Sequence, residues 1–141
     1  MPEPHSPEAV RVGIGGWLLL LCRLLIVFHP LSLAVTASSV LNAMFIRGAS
    51  VAIVLILRLV VVAFGVAAGR ALQTLRPDAV GFARLALLMS AAADVFVYTT
   101  PFFPSNRLPG DTAYYVAASL AYHGAWLAYL ARSKRVRMTF R

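Results

Sequence analysis

Four stretches of this chain, residues 16–36, 50–69, 80–100 and 112–131, are almost wholly apolar, and the last holds no Asp, Glu, Lys or Arg. Each is about 20 residues long, and about 20 residues of α-helix rise roughly 30 Å, the thickness of a hydrocarbon core. A chain of 141 residues cannot hide so much apolar surface from water, because a small domain is mostly surface. With 60% hydrophobic and only 13% charged residues, its natural solvent is lipid. The pattern predicts an all-α fold, an integral membrane antiparallel four-helix bundle over residues 16–131.

The basic residues set the orientation. Arg11, Arg70 and Arg76 fall on one side of the expected spans, with the tail cations Arg132, Lys134, Arg135, Arg137 and Arg141, and Arg84 lies one turn above that side. Only Arg47 and Arg107 fall on the other. The side richer in Lys and Arg is the cytoplasmic one. Both termini are therefore expected in the cytoplasm, with residues 1–15 a disordered tail and 132–141 a basic one. A net charge of +8 would by itself suggest a nucleic-acid partner, but the cations punctuate the ends of apolar runs rather than gather on one face, so none is expected.

Two local readings refine this picture. Val40, Leu41, Met44 and Phe45 recur at helical spacing, which suggests a short helix over 37–48 lying on the outer interface. Arg11, the leucine-rich stretch and Val35-Thr36-Ala37 also fit a cleaved signal peptide. Against cleavage, Arg23 splits the stretch, and the stretch exceeds the usual length of such a core. Cys22, the only cysteine, lies in an apolar run and reads as packing.

Gly15-Gly16-Trp17-Leu18 opens the first span, Pro30 falls late in it, and Tyr129-Leu130-x-x-Ser133-Lys134-Arg135-Val136-x-x-Thr139-Phe140 closes the chain. In these features the sequence resembles a bacterial family of small four-span inner-membrane proteins known only as a domain of unknown function. The resemblance implies that fold and a location in the bacterial inner (plasma) membrane. It brings no activity, substrate or catalytic residue.

Polar groups inside a bilayer cost about 2.5–3.5 kcal/mol near its centre on insertion scales, so each needs a reason. Four candidates stand out: His29, Arg58, Asp94 and His123. Counting residues from the outer face puts them roughly 10, 12, 9 and 16 Å deep. A helical side chain leans toward its own N-terminus, so Arg58 on an inward-running helix and Asp94 on an outward-running one converge in depth. The pair serves either as an ion pair that fixes helix register or as a site for a proton, ion or small polar solute. Pro30 removes a backbone donor beside His29 and opens room there. Two histidines in a helical bundle also raise haem ligation, but their depths differ by roughly 6 Å, and no cofactor or metal is expected.

Gly65 and Gly69 form a small-x-x-x-small pair for close helix packing. Ala86 and Ser90 on the third span, and Ala117, Ala121 and Ala125 on the fourth, offer matching small faces. Neither a His-x-x-x-His site, nor a nucleophile elbow, nor a phosphate loop occurs, so an enzyme is not expected. The expected role is a structural, assembly or interaction subunit with the lipid bilayer, a membrane protein or a second copy as partner. The alternative is a small transporter or channel component using Arg58, Asp94 and His29.

Overall fold

The computed structural model describes residues 13–100 and 110–140, with Ser39 and residues 42–47 described in backbone only. The proline-rich start with Arg11, the loop holding Phe102, Phe103 and Arg107, and Arg141 lie outside the described residues, as do the side chains of Met44, Phe45 and Arg47. Every described secondary-structure element is a helix. Helix α1 spans Trp17–Arg23 and passes through a π-helical turn, Leu24–Phe28, into α2, His29–Arg47. Helices α3 (Ala49–Gln73), α4 (Ala79–Thr99), α5 (Thr112–Arg132) and the short α6 (Lys134–Thr139) follow.

Three of these, over Trp17–Ser38, Ala49–Gln73 and Ala79–Thr99, are long and apolar enough to cross a membrane. Helix α5 matches α4 in length at 21 residues but is not among them. Its four tyrosines (Tyr114, Tyr115, Tyr122, Tyr129) and His123 lower its apolarity. Large apolar side chains point outward along the most apolar helix, including Ile53, Ile56, Leu59 and Val60 of α3. In water such a face would be an aggregation surface; against lipid acyl chains it is well solvated.

The first helix departs from expectation beyond Thr36 and again inside its span. No break follows Thr36: α2 runs on to Arg47 in place of a separate interfacial helix over 37–48. Ser38, Ser39 and Asn42 lower hydropathy there, but a polar residue does not end a helix. The break comes at Gly48, whose φ of 75° an L side chain resists, and this single residue joins α2 to α3. Lower in the helix, the N–H of His29 bonds the carbonyl of Leu24, five residues back, and Pro30 then offers no donor.

Helix α3 ends in a Schellman turn. Arg76 N–H bonds the Ala71 carbonyl at 3.1 Å, Leu75 N–H bonds that of Leu72 at 3.2 Å, and Leu75 takes φ 54°. A leucine in that left-handed conformation is strained by about 1–2 kcal/mol.

Two dry clusters flank a polar layer. Near the chain termini, Leu18, Leu21, Cys22 and Leu25 pack with Leu72, Ala83, Leu87, Trp126, Leu130 and Val136. At the opposite ends of the helices, Val40, Val51, Val54 and Val97 form a smaller cluster. Gly69 lies against the first helix: a Cβ there would meet Ile26 Cγ1 at 2.7 Å and Leu25 Cβ at 3.1 Å. At Gly65 a Cβ would meet His29 Nδ1 at 3.5 Å. The small face of α3 thus faces the first helix, not the alanine-rich faces of α4 and α5. The bulky Leu25 and Ile26 fill the groove that the missing Cβ atoms leave.

Candidate functional site

Between the two clusters the helices border a half-open hollow of about 290 Å³. His29 and Ser32 line it from α2, and Arg58 from α3. Ser90, Asp94 and Tyr98 line it from α4, and Tyr115, Ser119, Tyr122 and His123 from α5. All four polar candidates, His29, Arg58, Asp94 and His123, therefore border one space, although residue counting spread them over roughly 7 Å of depth. The two histidines share it too.

A hydrogen-bonded chain crosses three helices. Arg58 Nη2 donates to Asp94 Oδ1 at 2.8 Å, linking α3 to α4. The Ser119 hydroxyl donates to Asp94 Oδ2 at 2.8 Å, linking α4 to α5. Each carboxylate oxygen thus holds a donor, the arrangement that best offsets the loss of water around a buried charge. The Arg58 and Asp94 side chains keep 18% and 21% of their surface, so the hollow touches the ion pair rather than sealing it off.

His123 sits four residues after Ser119, on the same face of α5. Its Nδ1 lies 2.8 Å from the Ser119 carbonyl oxygen, and a carbonyl can only accept, so Nδ1 carries the hydrogen. The Ser119 hydroxyl lies 3.3 Å from the same nitrogen. In the neutral ring Nε2 is then a bare acceptor, buried and without a hydrogen-bond partner among the described residues. The Tyr122 ring stands edge-on to the imidazole, 5.0 Å between centroids, and fixes its plane. His29 is held differently, with its Nδ1 edge toward Gly65 and no bulk on α3 to push it out of the hollow.

Ser119 and the tyrosines are site residues that sequence reasoning passed over, and Ser90 it read only as part of a small packing face. A signal was present: Ser119 precedes His123 by four residues and Ser90 precedes Asp94 by four, the spacing that stacks side chains on one helical face. No group of three or more His, Cys, Asp or Glu gathers as a metal-ligand set among the described residues. The chemistry on offer is hydrogen bonding and proton exchange around a charge-balanced pair.

Compared with known proteins, residues 11–141 match the family model described as "Protein of unknown function (DUF2569)". No curated protein and no solved structure matches the chain.

Proposed function

The chain belongs to the DUF2569 family, whose description carries no activity, so its role is read from its own site, and we propose that it is a four-span membrane protein admitting a small uncharged polar solute to the cavity around Arg58 and Asp94. The cavity is the observation that carries this reading. A pair that only fixed register would be expected to pack closed, whereas here a hollow of about 290 Å³ borders it. The lining suits a neutral solute. Arg58 and Asp94 cancel each other, while the hydroxyls of Ser32 and Ser90 offer donors and acceptors to replace water.

The antiparallel arrangement rests on how partners are ordered. Along α3, Arg58 meets Asp94 of α4 and Phe64 stacks on Phe82, so rising numbers meet falling ones. Asp94 meets Ser119 and Arg84 meets the Leu130 carbonyl in the same inverted order. Gly65 and Gly69 face His29 and Ile26 likewise. With α5 as the fourth span, the basic residues after it and in the α3–α4 loop support cytoplasmic termini in a plasma membrane. A pathway through so small a unit would call for a second copy.

The test is reconstitution into liposomes, with osmotic shrinkage recorded for glycerol and urea and a trapped dye recording protons. The full chain should pass at least one probe faster than empty liposomes, and Ser90→Leu, which fills the hollow while sparing the ion pair, should return that rate to background. Rates equal to those of empty liposomes for every probe would overturn the reading. A second role, a non-enzymatic structural or assembly subunit, is favoured by one observation: both Asp94 oxygens are engaged by side chains of this chain, which ties three helices together without need of a ligand.

A further inference from the structure

A second hollow, about 280 Å³ in volume, lies where the last turn of α5 meets α4 and α6, and it owes nothing to the polar cavity. Its walls are Val80, Arg84, Leu130, Val136, Arg137 and Phe140: four apolar side chains and two guanidinium groups. Arg84 Nη2 donates to the Leu130 carbonyl at 3.2 Å and Arg137 Nη2 to the Arg132 carbonyl at 3.4 Å. Both contacts fall on carbonyls at the C-terminal end of α5, where the helix dipole favours cations and holds both guanidinium groups beside one hollow. Among the described residues neither arginine has a carboxylate partner, since the ion pairs there are Arg58–Asp94 and Arg76–Asp78. A guanidinium carries five N–H donors, so most of those on each arginine remain for an anion.

We propose that this hollow binds one anionic phospholipid, its phosphate between Arg84 and Arg137 and an acyl chain along the partly exposed Val80 and Phe140, over the buried Leu130 and Val136. Capping the end of α5 would occupy the arginines equally well, but capping alone does not account for an apolar-walled space beside two cations that lack a carboxylate among the described residues. A free phosphate would satisfy the guanidinium groups and leave those walls facing water. A phosphate joined to acyl chains satisfies both halves, and, resting on the proposed reading of α5 as the fourth span, its end is where headgroup and chain meet. An acidic protein segment would meet only the charged half.

The test uses the full chain in a non-ionic detergent, with lipid adducts counted by native mass spectrometry. Phosphatidylglycerol and phosphatidylcholine with matched acyl chains are compared. The wild type should hold one phosphatidylglycerol in clear preference to phosphatidylcholine. Arg84→Gln and Arg137→Gln should each reduce that preference about fivefold, as expected for one cation at a headgroup. Arg137 is exposed, so Arg137→Gln should lower the thermal melting point by no more than one exposed contact at a helix end does, which keeps the binding result separate from folding. Equal retention of the two lipids, or an undiminished preference in the double variant, would overturn the proposal. So would displacement of the lipid by millimolar inorganic phosphate or by an acidic peptide, which would mark the hollow as a site for those species instead.

Discussion

Gly15 and Arg135 stand face to face across the two ends of the chain: a Cβ on Gly15 would lie 3.0 Å from Arg135 Nη2. Gly16 has the same neighbour, Arg135 Nη1, 3.1 Å from where its Cβ would be. The entry to the first helix and the short C-terminal helix are thus one packed unit. Val136 completes it by burying itself beside Leu18 and Leu21, and the Ser133 hydroxyl caps α6 by accepting from the Val136 N–H at 3.4 Å. The Gly-Gly-Trp-Leu start and the Ser-Lys-Arg-Val tail, read separately in the sequence, fit each other by shape.

The ion pair Arg58–Asp94 should behave as a coupled unit. Arg58→Asp or Asp94→Arg alone leaves like charges facing each other and should lower the stability of the detergent-solubilised protein by about 3 kcal/mol, the usual range for breaking a largely buried pair. The double swap should recover more than half of that loss. Thermal melting of the four proteins measures the coupling, and simple addition of the two single losses would show that the residues act independently.

Ser119→Ala removes one of the two donors on Asp94 and should cost about 0.6–1.7 kcal/mol, the range found for hydrogen bonds between membrane helices. Melting in the same detergent provides the value, and the loss should shrink in an Asp94→Asn background, where the acceptor is weaker.

The two glycines of α3 should respond in opposite ways. Gly69→Ala forces a methyl against Ile26 and Leu25 and should cost about 1–3 kcal/mol through overpacking. At Gly65 the nearest atom stands at ordinary contact distance, so Gly65→Ala should be neutral or gain up to about 0.5–1 kcal/mol of helix propensity. Equal melting temperatures for the two variants would contradict the packing of α3 on the first helix.

Leu75 holds the left-handed position that ends α3. Leu75→Gly should raise stability by about 1 kcal/mol by releasing the strain of the side chain at φ 54°. Leu75→Val, branched at Cβ, should lower it. Melting curves of the two variants beside the wild type check the order.

Orientation is checked with fused reporters. One placed after Arg141 should be active only in the cytoplasm and one inserted between α4 and α5 only outside, as the distribution of Lys and Arg requires. External activity of the C-terminal fusion would reverse the topology.

The residues that sequence reasoning reached most directly were those whose chemistry clashes with lipid. Arg58 and Asp94 announce themselves because a charge inside an apolar run is rare, and opposite side-chain leanings bring their tips to one level. Ser119 did not, because its bond to Asp94 depends on the rotation of α5 about its axis relative to α4, which a list of residues does not encode. The partner of Gly65 and Gly69 was obscure for a similar reason: alanine recurs along α4 and α5, so a small face has many apparent matches. The continuation of α2 to Arg47 was hidden by Ser38, Ser39 and Asn42, whose polarity imitates an exit from the membrane. The π-helical turn left no mark beyond Pro30.

The single-residue joint at Gly48 ties the positions of two helices together. A longer connection would let α2 slide or tilt without α3. With only Gly48 between them, at a φ of 75°, a shift of one helix along its axis is passed to the other. His29 on α2 and Arg58 on α3 line the same cavity, so this joint helps to set the level at which the two meet.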